Sequence, residues 1–109
     1  MTVECFAQKS GFKALCLPSA EKEIDGAYVG DLLSWVMGNA NPGNLWITIM
    51  SNINIVAVAT LVDVSCIILA ENVSPDGEVL RVAAAKGVNI LSTELKAYEA
   101  AIKIGSMIN

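Results

Sequence analysis

The sequence contains no histidine. That absence removes imidazole general acid–base catalysis, every His-containing catalytic triad and every His-ligated metal site. Basic charge is also scarce. Lys and Arg number 7 against 11 Asp and Glu, a formal net charge of −4, which is the wrong sign for non-specific binding to a nucleic-acid backbone. Only three cysteines occur, Cys5, Cys16 and Cys66. An odd, widely spaced set is neither a disulfide framework nor a zinc ligand set, and it predicts buried or half-buried thiols in a reducing cytoplasm. There is no GxxxxGK[ST] and no GxGxxG; the glycines of Gly26-Ala27-Tyr28-Val29-Gly30 instead flank a strand. No basic stretch followed by a long apolar run opens the chain, so no signal peptide is expected. The longest uncharged stretch, Leu32 to Val62, is broken by Asn39, Asn41, Pro42, Gly43, Asn44, Asn52 and Asn54 and predicts no membrane span.

What is present is apolar mass. Hydrophobic residues make up 54% of 109 and charged residues 17%, enough for one domain over 1–109 with a core that needs neither metal nor disulfide. Val3 to Ser10 predicts a short helix with Val3, Phe6 and Ala7 inward and Gly11 at its end. Lys13 to Leu17 and Ile24 to Val29 predict extended segments. Asp31 is expected to cap a helix over Leu32–Met37 that exits at Gly38, and 39–44 is a turn. Strand, helix, strand then recur: Leu45–Ile49, a helix over Ile55–Val62 capped by Asn52 or Asn54, and Ser65–Ala70. A helix over Asp76–Lys86 follows, with Asp76 and Glu78 in its first turn, then Val88–Leu91. A last helix, capped by Ser92 or Thr93, runs through Ile104 with Leu95, Tyr98, Ala101 and Ile102 on its apolar stripe. The strands are continuous apolar runs, as in sheets covered on both faces. The expected class is therefore α/β, a small and mostly parallel sheet with helices on both faces and right-handed crossovers.

Ligands in such sheets collect beyond the carboxyl ends of the strands. Those ends place Ser51, Asn52, Asn54, Glu71, Asn72, Ser92 and Thr93 as candidate ligand contacts, with plain helix capping as the alternative for the Ser51–Asn54 loop, which lacks the glycine of a tight phosphate loop. Asp31, Asp63 and Glu71 are far apart and have no acid–base partner, so no catalytic residue, metal or cofactor is expected. Between Gly26 and Val62 the only charged side chain is Asp31. A domain this small cannot hide all of that segment, so Trp35 and Met37 are expected at or near a homodimer interface, and core is the alternative for both, as for Trp46 and Met50.

Four features in order carry a family resemblance. Trp46-Ile47-Thr48-Ile49 is followed by Ser51-Asn52-Ile53-Asn54-Ile55. Ile67-Ile68-Leu69-Ala70-Glu71-Asn72-Val73-Ser74-Pro75 comes next, and then Gly87-Val88-Asn89-Ile90-Leu91-Ser92-Thr93 before a helix that carries Tyr98. From Gly30 to Ile104 the chain resembles the bacterial DRTGG domain, itself similar to the N-terminal domain of HPr kinase/phosphorylase. Ser51-Asn52 stand where that family has Asp-Arg, and Ala70-Glu71-Asn72 stand where it has Thr-Gly-Gly. The kinase does its chemistry in a separate P-loop domain that this sequence lacks. The resemblance therefore implies a non-catalytic, cytoplasmic regulatory or protein-interaction module, with a small-molecule sensor for a nucleotide or another anion as the alternative. Partners are expected to be a second copy, another protein or a small ligand, and neither nucleic acid nor membrane.

Overall fold

The apolar runs Leu45–Thr48 (β3), Cys66–Leu69 (β4) and Ile90–Ser92 (β5) lie side by side at the centre of a five-stranded sheet in the computed structural model, which describes residues 1–108. β3 and β4 are buried at every position, as strands covered on both faces must be. Ala27–Val29 (β2) pairs parallel to β3 at one edge, and Lys13–Cys16 (β1) pairs antiparallel to β5 at the other, giving the order β1-β5-β4-β3-β2. The sheet is thus mostly parallel, as expected. The antiparallel β1 is a feature that periodicity does not reveal.

Alternation along the strands sorts two apolar layers. Leu45, Ile47, Cys66, Ile68 and Leu91 meet Val3 and Phe6 of Val3–Ser10 (α1) and Ile104 of Ala97–Ile108 (α5). Trp46, Ile67, Leu69 and Ile90 face the opposite layer, built from Leu33–Asn39 (α2), Asn54–Val62 (α3) and Val79–Lys86 (α4). Thr2 caps α1, its hydroxyl accepting the Cys5 N–H at 3.1 Å, and Gly11 ends it at φ 75°, a left-handed conformation that favours glycine. Cys66 lies wholly in the core, where desolvation pushes its thiol far above the usual range, while Cys5 and Cys16 are half-buried.

Several expected boundaries shift. β2 is shorter than Ile24–Val29: the Ile24 N–H donates to the Met1 carbonyl, and the Asp25 N–H to the Gly43 carbonyl. Asp31 is not the cap of α2, because its carboxylate turns to the end of β3. Gly38 lies inside α2, which closes at Ala40. α4 begins at Val79 and not at Asp76. Asp76 stays outside as a turn residue, its carbonyl accepting the Val79 N–H at 3.0 Å and its N–H donating to the Ser51 carbonyl, and the helical bonds begin with the Val82 N–H on the Glu78 carbonyl. α5 begins at Ala97, so neither Ser92 nor Thr93 caps it. Its expected stripe is also rotated: Ala100 and Ile104 are buried, whereas Tyr98 and Ile102 face solvent.

Candidate functional site

Parallel strands β2 to β5 end on one rim of the sheet, and the loops that leave them are tied to one another. From β2, Asp31 reaches across so that its Oδ1 accepts the Thr48 hydroxyl at 2.8 Å and the Ile49 N–H at 2.9 Å. From β3, the Ser51 hydroxyl donates to Asp76 Oδ1 at 3.0 Å. From β4, the Glu71 N–H donates to the Leu95 carbonyl and the Asn72 N–H to the Thr93 carbonyl. Glu71 Oε2 also accepts the Ala97 N–H at 3.3 Å, so this carboxylate stabilises the start of α5 from another loop.

The β4 loop is unusual in backbone terms. Glu71 and Asn72 stand consecutively at φ 60° and 58°. Left-handed backbone costs roughly 1–2 kcal/mol for an ordinary L-residue and less for Asn, and here it is held by the three bonds to the β5–α5 loop. Asn72→Ala is expected to lower stability by about 1 kcal/mol, while Asn72→Gly leaves it unchanged or slightly higher. Urea midpoints check this, and equal midpoints for the two variants would show that residue 72 is not held left-handed.

The candidate residues divide into two groups. Asn72, Ser92 and Thr93 line one cavity of ≈ 370 Å³ beyond the ends of β4 and β5. Ser51, Asn52 and Asn54 lie outside it. Ser51 is bound to Asp76, and Asn52 Oδ1 accepts the Asn54 N–H at 2.9 Å in a local turn. Neither Asn52 nor Asn54 is the cap expected for α3, whose N-cap is Ile53 with no side-chain bond, because Asn54 is already its first residue. Glu71 is likewise outside the cavity, holding α5. The far wall comes from residues that sequence patterning did not single out: Phe12 and Lys13 at the start of β1, and Lys103 of α5, with Glu94 beside them. Phe12 and Lys13 arrive there because β1 runs antiparallel, placing Lys13 opposite Ser92 at the rim where β5 ends. Lys103 Nζ lies 5.4 Å from the centroid of the Phe12 ring, a cation–π contact.

Asp63 is a left-handed helix end in an ion pair with Lys22 at 2.7 Å. Among the described residues no group of three or more Cys, Asp or Glu could hold a metal ion, and no helix is long and apolar enough to cross a membrane. Of the two residues expected near an interface, Trp35 is 62% exposed and Met37 44%. Trp46 is fully buried, its indole N–H donating to the Gly30 carbonyl at 2.9 Å.

The family model of the DRTGG domain matches residues 22–107 of this chain. Among solved structures, the chain is similar to the CBS and DRTGG domains of the regulatory region of Clostridium perfringens pyrophosphatase, complexed with its activator diadenosine tetraphosphate. The TM-score is 0.72 at 15% identity, over 94% of this chain and 45% of that one, so this chain spans less than half the length of its structural relative. No curated protein matches the sequence.

Proposed function

We propose, from the premise that this chain belongs to the DRTGG domain family, that it is a non-catalytic regulatory module that works as a homodimer in a reducing cytoplasm. The observation that carries the dimer is the surface of α2. Leu32 is 68% exposed and Trp35 62%, and they lie on one flank of the buried Val36, with Met37 on the other. These side chains belong to the segment 26–62, in which Asp31 is the one charge. Exposed aromatic and aliphatic side chains in a charge-poor stretch are the composition of an interface core. A two-fold axis covers them with a second copy. The free thiols of Cys5, Cys16 and Cys66 support the reducing compartment.

Light scattering at micromolar concentration is expected to return twice the chain mass. Trp35→Glu is expected to give a folded monomer, because a charge buried at the centre of such a contact lacks a partner. A monomeric wild type overturns the dimer. So does a dimer that persists in both Trp35→Glu and Met37→Glu.

A second reading, a sensor of a small molecule, is favoured by the cavity at the β4 and β5 ends. Asn72, Ser92 and Thr93 converge there from two loops at the place where sheets of this kind take ligands. The structural relative is a regulatory region complexed with a nucleotide activator, which is consistent with ligand control of a module of this fold. The two readings are compatible, since a ligand that orders the rim loops could bias a dimer formed through α2.

A further inference from the structure

We propose that the rim cavity binds a small phosphorylated molecule, with its phosphate held between Lys13 and Lys103. This deepens the sensor reading and rests on it. The chain as a whole is acidic, at −4, yet this cavity is lined by two ammonium groups and one carboxylate, Glu94. Among the described residues the ion pairs are Met1–Glu23, Lys22–Asp63 and Arg81–Glu78, so neither cavity lysine is neutralised by a protein carboxylate.

Both lysines are positioned by the fold. Lys13 is fixed in register opposite Ser92 by the β1–β5 pairing. The Lys103 ammonium lies over Phe12, a residue only 8% exposed, which holds the charge against the cavity wall. The remaining polar groups add donors. Thr93 Oγ1 accepts the Leu95 N–H at 3.2 Å, which leaves its own proton to donate. Ser92 and the amide of Asn72 add further donors. Two ammoniums, two hydroxyls and an amide match an acceptor-rich phosphate, and charge-assisted bonds of that kind are the strong ones. Glu94, an acceptor, suits the hydroxyls of an attached sugar. The volume of ≈ 370 Å³ lies at the lower end of the roughly 300–1,000 Å³ typical of ligand pockets. It therefore suits a group the size of a sugar phosphate or one mononucleotide.

The test is a titration of the ¹⁵N-labelled full chain, followed by amide shifts, with inorganic phosphate, AMP and adenosine as separate probes. Phosphate and AMP are expected to move the amides of Lys13, Asn72, Thr93 and Lys103, and adenosine is not. In Lys13→Gln/Lys103→Gln, which retains both side-chain stems, AMP affinity is expected to fall by about tenfold or more at low salt, with spectra elsewhere unchanged. Two results overturn the phosphate assignment while leaving a sensor intact: adenosine moving these amides as strongly as AMP, or the double variant binding AMP like the wild type. If none of the three probes moves a cavity amide, the phosphate site and the sensor reading fall together. A double variant that fails to fold is replaced by Lys103→Gln alone, read against the same outcomes.

Discussion

Trp46→Ala is expected to cost about 3–5 kcal/mol of folding stability, as large aromatic deletions in cores do. Trp46 is fully buried on the central strand β3, in register with Ile67, and belongs to the same apolar cluster as Val36 and Ile55 of the α2–α4 layer. The deletion leaves a void lined by residues on strands and helices that cannot collapse into it, and it removes the indole bond to the Gly30 carbonyl. That carbonyl lies at the end of β2, one residue before Asp31, so the same side chain helps hold the rim. Trp46→Phe retains an aromatic ring and loses the donor, and is expected to cost about 1–2 kcal/mol. Urea unfolding of the two variants separates packing from hydrogen bonding. A loss below about 1 kcal/mol for the alanine variant would contradict the packing of the α2–α4 layer.

Asn89→Leu is expected to cost about 3 kcal/mol, although it places an aliphatic residue in an apolar neighbourhood. Asn89 is 1% exposed just before β5, and its amide is fully engaged. Oδ1 accepts the Ser19 N–H at 2.9 Å, and Nδ2 donates to the Ser19 carbonyl at 2.7 Å and to the Ser65 carbonyl at 2.9 Å. The Ser19 hydroxyl adds a bond to the Gly87 carbonyl at 2.9 Å. One side chain therefore satisfies three backbone groups and pins the segment after β1 to the entrances of β4 and β5. Leucine satisfies none of them, and each unpaired group costs about 1–3 kcal/mol unless water reaches it. Urea midpoints give the total, and hydrogen exchange at the Ser19 amide reports local release. Unchanged exchange at Ser19 together with a loss under about 1 kcal/mol would refute the bridging role of Asn89.

The candidate site was partly legible before the fold was known. A strand-end rim follows from parallel βαβ order, and Asn72, Ser92 and Thr93 stand on it in a shared cavity. Ser51, Asn52, Asn54 and Glu71 stand on the rim too, but outside that cavity. The Ser51 and Glu71 side chains are absorbed by cross-loop bonds, which depend on which loop lies beside which, and the Asn52 side chain by a local turn onto the Asn54 N–H. The Glu71–Asn72 pair shows the same division. The resemblance places a Gly-Gly pair there, and consecutive left-handed φ values give that pair its conformational reason, while the bonds to Leu95, Thr93 and Ala97 explain how Glu and Asn keep the shape.

Local chemistry alone specified the elements whose ends are punctuated: α1 between Thr2 and Gly11, the exits of α3 at Asp63 and α4 at Gly87, and the apolar β3 and β4. It also specified the layered α/β class, because unbroken apolar strands require cover on both faces. The start of α5 was decided only by tertiary contact, since the Thr93 and Leu95 carbonyls that a longer helix would use accept the Asn72 and Glu71 N–H groups of the β4 loop; at α4 the Asp76 carbonyl is likewise spent on a tight turn to the Val79 N–H. So was the outward turn of Tyr98 and Ile102, because α5 packs through Ala100 and Ile104 onto the sheet. The direction of β1 was settled in the same way. Four residues carry no mark of parallel or antiparallel pairing, and it is pairing with β5 that carries Lys13 to the rim where Lys103 and Thr93 stand.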